Sequence, residues 1–74
     1  MVGLRGDKIF EAITDSMSPG NAIWAKHAPA LIANIARLEN SDGSPLDHAV
    51  YDLGQAVAHF TFQATVDGLL VHQM

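Results

Sequence analysis

Residues 44–68, SPLDHAVYDLGQAVAHFTFQATVDG, decide how the rest of the chain is read. Ser44 is suited to accept a hydrogen bond from a first-turn amide, and Pro45 at the first helical position gives up a donor that would have no partner there. Asp47, three residues after Ser44, completes a capping-box-like start with negative charge at the positive end of the helix dipole. Gly68 supplies the left-handed residue that commonly closes a helix. The pattern therefore predicts a helix from about Pro45 to Asp67, roughly 30 Å long at 1.5 Å per residue. Val50, Leu53, Val57, Phe60 and Ala64 recur at spacings of three and four and form an apolar seam. His48, Asp52, Gln55, His59, Gln63 and Asp67 form a narrow polar stripe. Ala49, Gly54, Ala56 and Ala58 keep the surface low between them, so that another backbone can approach closely. A helix this apolar reads as a central element, covered on most of its circumference and shared across a subunit boundary.

Working back toward the N-terminus, NSDGSP over residues 40–45 is a polar loop of turn formers. Before it, ALIANIARL (residues 30–38) is apolar at nearly every position and bounded at strand length by Pro29 and Asn40-Ser41-Asp42-Gly43. It is read as a strand buried on both faces of a parallel sheet, although its alanines favour helix. Asn21 caps a short helix, AIWAKHA, whose Ile23 and Trp24 are expected to pack inward; Ala28-Pro29 ends it. Ser18-Pro19-Gly20-Asn21 is read as a turn. Asp7 caps an amphipathic helix that places Ile9, Phe10, Ile13 and Met17 on one face. MVGLRG is an extended or frayed lead-in. Beyond the long helix, LLVHQ (residues 69–73) reads as a second short strand, giving a strand–helix–strand unit with parallel strands. Two parallel strands do not stand alone, so further strands are expected from another chain or from a larger domain.

Seventy-four residues make one domain, 1–74, and a chain this short buries only about 60 to 65 per cent of its unfolded surface. There is no cysteine, which excludes disulfides and thiolate metal sites and is compatible with a reducing, cytoplasmic compartment. Oligomerisation through the helix 45–67 is the expected source of stability. Eight acidic against four basic residues leave a net charge of −4, the wrong sign for a domain that neutralises nucleic-acid phosphates. The polar stripe interrupts the apolar run, so a membrane span is not expected. Nor does an apolar stretch follow a basic start, as a secretory signal requires.

NAIWAKHAPALIANIA together with YDLGQAVAHFTFQATVDGLLVHQM resembles the middle of the FMN-dependent nitroreductase family. There an N-x-x-W-A-x-x-A-P segment leads into a sheet strand, and a D-x-G-x-A pattern followed by A-x-x-x-G-L marks a long central helix. The resemblance covers most of residues 7–74 and implies an α+β sandwich forming an intertwined homodimer, with the long helix at the subunit interface and FMN between chains. The family oxidises NAD(P)H and passes electrons through flavin to nitroaromatic or quinone-like acceptors. The segments that hold the flavin phosphate in that family have no counterpart here, so the chain reads as a central piece truncated at both ends. Gln73 and Met74 alone fall where the family places backbone near the flavin ring.

No catalytic residue emerges. His48 and His59 lie eleven residues apart, roughly 16 Å along a helix, too far to share one metal ion, so the stripe reads as a hydrogen-bonded or solvated polar face and no metal is expected. Trp24 and Tyr51 are more simply core aromatics than flavin platforms. Two functions follow: a nitroreductase-type oxidoreductase polypeptide whose isolated chain is an inactive scaffold or dimer core, or a non-catalytic helical homodimerisation module.

Overall fold

The computed structural model describes residues 1–74 as a small mixed α+β fold with three helices and a two-stranded antiparallel sheet. The elements in order are β1 (Val2–Leu4), α1 (Lys8–Ser16), α2 (Pro19–Ala25), β2 (Ala30–Ile32) and α3 (Ala49–Val66). They fall into two compact units, Met1–Ala33 and Asn34–Met74.

In the first unit α1 and α2 follow β1 in the chain and precede β2. The strands pair antiparallel, with Val2 opposite Ile32, Gly3 opposite Leu31 and Leu4 opposite Ala30. Strand alternation turns Gly3 and Leu31 to the covered side. Leu31 joins Phe10, Ile13 and Ala25 in one cluster, with Met17, Ala28 and Ala33 packed around it. Helix α1 lies directly on Gly3: a Cβ there would stand 2.4 Å from the Phe10 nitrogen and 2.6 Å from its Cα.

Asp7 ties strand to helix. One carboxylate oxygen accepts from the Phe10 amide at 2.7 Å, capping α1, and the other accepts from the Leu4 amide at 2.9 Å. Those two bonds, the Phe10 one first, hold its carboxyl below the ordinary aspartate range. Gly6 makes the intervening turn at φ +96°. Arg5 then ties β1 to the turn that follows α2, donating from its guanidinium to the carbonyls of His27 and Ala28 while its amide donates to the Pro29 carbonyl. Three carbonyls of that turn are satisfied in this way.

The second unit opens with a tight reversal. Glu39 bridges Pro45, the Asn40 amide donating to the Ser44 carbonyl and the Leu46 amide to the Leu38 carbonyl, both at 2.8 Å. Ser44 donates its hydroxyl to Asp42 and accepts from Asn40. Helix α3 follows and closes in a Schellman arrangement: Gly68 sits at φ +83°, its amide donates to the Thr65 carbonyl, and the Leu69 amide donates to the Ala64 carbonyl.

The Asp7 cap, the inward faces of Phe10 and Ile13, and the Gly68 stop match the sequence reading. Other expectations are corrected. The strands are antiparallel, and the expected pair is absent: residues 1–6 supply β1, the run 30–38 is strand only over 30–32, and residues 69–73 form no strand. Pairing goes to the segment that the two helices bring alongside β2. Ser44 is consumed by the Asp42 turn, so α3 begins at Ala49 behind His48, whose side chain makes no cap bond. Pro19 starts α2 and does not merely punctuate the chain, because Ser18 takes the N-cap position and proline's fixed φ suits the first turn. Ile23 and Trp24 stay exposed, and Ala25 occupies the core position.

Two outcomes follow. Gly3→Ala should lower stability by about 2 kcal/mol in thermal melts, since the new methyl meets helix backbone that cannot step aside. The stabilisation that ionised Asp7 gives should be complete above the ordinary aspartate value of 3.8 and fade as pH falls below it through the depressed folded value. Circular dichroism should show an acid transition that is weakened in Asp7→Ala.

Candidate helix surface of the second unit

Helix α3 is 18 residues long, roughly 27 Å. Its covered line is Leu53, Val57 and Thr61, all half-buried, and Ala64, which is buried. Three of these belong to the expected seam. The other two seam residues lie open: Phe60 is 49% exposed and Val50 is 66% exposed. Round the helix from the covered line runs a second stripe that the sequence reading passed over, Tyr51, Gly54, Ala58, Phe62 and Thr65, all exposed. Tyr51 is 68% exposed and Phe62 73%. The signal was available in the sequence as spacings of three, four, four and three, but Phe60 drew the apolar seam toward the opposite edge.

The terminal segment folds back beside this helix. Gln73 donates from Nε2 to the Thr61 hydroxyl at 2.8 Å, and that hydroxyl donates to the Val57 carbonyl at 2.8 Å. Thr65 donates its hydroxyl to the Thr61 carbonyl at 3.0 Å. Between the helix and Gln73 lies an open groove of about 480 Å³ lined by Ala58, Thr61, Phe62, Thr65, Val66 and Gln73. Both threonine hydroxyl protons are committed to helix carbonyls, so the groove presents mainly methyl groups, a phenyl ring and one amide. It suits a ring or aliphatic side chain and offers neither a nucleophile nor a general base.

The residues singled out from sequence are dispersed. Gln73 reaches the groove through its side chain, whereas Met74 is 60% exposed at the chain end. On the polar stripe, Gln63 donates to Asp67 at 3.1 Å, as their spacing of four allows. No group of three or more histidine, aspartate or glutamate side chains converges on a point that would hold a metal ion. Arg37 donates to the Glu39 carbonyl two residues on, and Arg5 to carbonyls of the turn after α2. Asp42 is held below the ordinary carboxylate range by the Ser44 hydroxyl and then by the Ser44 amide. No helix is long and apolar enough to cross a membrane.

Thr61→Val should release Gln73 and weaken the folded-back segment by about 1 kcal/mol, the net worth of one hydrogen bond. Faster amide exchange over residues 69–74 than in the parent chain is the expected readout.

Comparison with protein-family models, curated proteins and solved structures finds no match to this chain.

Proposed function

We propose that this chain is an assembly module whose helix α3 is covered by a second copy, a dimer core of the kind that the nitroreductase resemblance implies. One observation carries the reading. Along α3 only Ala64 is buried, while Val50, Tyr51, Phe60, Phe62 and Val66 stand between about half and three quarters exposed. Tyr51, Phe62 and Val66 lie together on one side of the helix, and large apolar side chains grouped in the open are the usual mark of a contact surface. Neighbouring Leu69 and Leu70 extend it. A homodimer supplies the missing cover without requiring any other gene product, and cyclic pairs are the commonest solution for soluble chains.

The flavin side of the resemblance has one supporting observation, Gln73 anchored beside an apolar groove. Holding FMN also needs an anchor for its phosphate, and charge-assisted contacts are roughly twice as strong as neutral ones. Arg5 and Arg37 already donate to backbone carbonyls, and Lys8 and Lys26 belong to the first unit while Gln73 belongs to the second. Gln73 and Met74 touching a flavin ring is therefore the most this chain offers by itself, and the isolated polypeptide is a scaffold and not a working NAD(P)H-dependent reductase.

Light scattering at micromolar concentration should report a dimer, and a particle of single-chain mass would sink the assembly reading. Titrated FMN should keep its fluorescence. Low-micromolar quenching would instead favour the oxidoreductase reading.

A further inference from the structure

The exposed stripe of α3 is symmetric in spacing and complementary in size about its centre. Tyr51, Gly54, Ala58, Phe62 and Thr65 follow one another at intervals of three, four, four and three, symmetric about Ala58. Large residues sit where the symmetry places small ones: Gly54 mirrors Phe62, and Tyr51 mirrors Thr65. The backbone at Gly54 is bare, for a Cβ built there would meet nothing within 4 Å. Beside Thr65 lies the open groove lined by Thr61, Phe62, Thr65, Val66 and Gln73.

From this we infer that two copies of α3 pair antiparallel about a two-fold axis at Ala58, each Phe62 ring lying over the other copy's Gly54 and each Tyr51 ring entering the other copy's groove. The inference rests on the assembly reading and adds its register. The occupant is a second copy because the stripe is complementary to itself under that rotation. An isologous contact needs such self-complementarity, and an unrelated partner does not. No charged side chain lies on the stripe, so nothing ionic is desolvated, and antiparallel helix dipoles attract. Four aromatic rings, each worth about 150 Å² or more, with the flanking valines bring the buried area to the order of 1,000 Å², the range at which a specific contact holds. Gly54 and Ala58 allow the axes to approach to the short end of the usual 8–10 Å range.

The absence of cysteine from the sequence makes single-cysteine variants clean reporters. At the axis the two Ala58 Cα atoms come within disulfide reach, about 4.4–6.8 Å. Ala58→Cys, oxidised with diamide, should give covalent dimers at least tenfold faster than His59→Cys on the polar stripe. Tyr51→Cys should not link to itself, because the two copies of that position lie roughly 21 Å apart along the axes, but should link to Thr65→Cys when the two variants are mixed. Gly54→Leu, which fills the hole for Phe62, should raise the dimer dissociation constant at least tenfold while leaving the helical circular dichroism intact. Tyr51→Cys linking to itself would mean parallel pairing. A dimeric mass with no fast link at position 58 would mean another face. Either result overturns this register and leaves assembly standing, whereas single-chain mass for the parent protein overturns both.

Discussion

How little apolar surface each part of this chain buries is the constraint on which the rest depends. The buried apolar side chains are Phe10, Ile13, Ala25, Leu31 and Ala64, and all but the last belong to the first unit. Short chains have too much surface for their volume, and nature compensates with staples or with partners. A chain without cysteine has no disulfide to offer. The first unit meets the constraint with directed polar contacts, and the second leaves large apolar side chains open.

In the first unit, two ionisable side chains act as fasteners between elements. Asp7 joins the end of β1 to the start of α1, and Arg5, two residues earlier, joins the same turn to the one after α2. Asp7 satisfies an amide that the start of α1 leaves without a partner, and Arg5 satisfies carbonyls of the turn after α2. Gly3 then lets α1 settle onto the sheet at a distance no side chain permits. Phe10, which receives the Asp7 cap at its amide, is also the large residue of the core, so capping and packing are enforced at one position.

In the second unit the relation is reversed: the backbone is well satisfied and the side chains are not. The Asp42–Ser44 turn and the Schellman closure at Gly68 give α3 defined ends. Leu53, Val57, Thr61 and Ala64 receive what cover there is. The aromatic and small residues on the adjoining stripe remain exposed.

The sequence alone determined those features whose cause is local. Asp7 as a cap, Gly68 as a stop, the apolar face of α1 and the helical nature of residues 49–66 each depend on interactions within about four positions, and all can be read from spacing and residue type. The tertiary structure alone decided which strands pair and in which direction. A three-residue strand such as Val2–Leu4 carries almost no periodicity, and its partner lies 26 to 30 residues away, beyond both α1 and α2. It also decided that Ser44 serves a turn and not a cap. A serine hydroxyl is equally able to do either, and the nearby Asp42 carboxylate and the Glu39–Pro45 bridge settle the choice. The same holds for α3: periodicity shows that the helix has apolar surface on several sides, but which side the chain covers for itself depends on where the following segment folds back, through Gln73 onto Thr61.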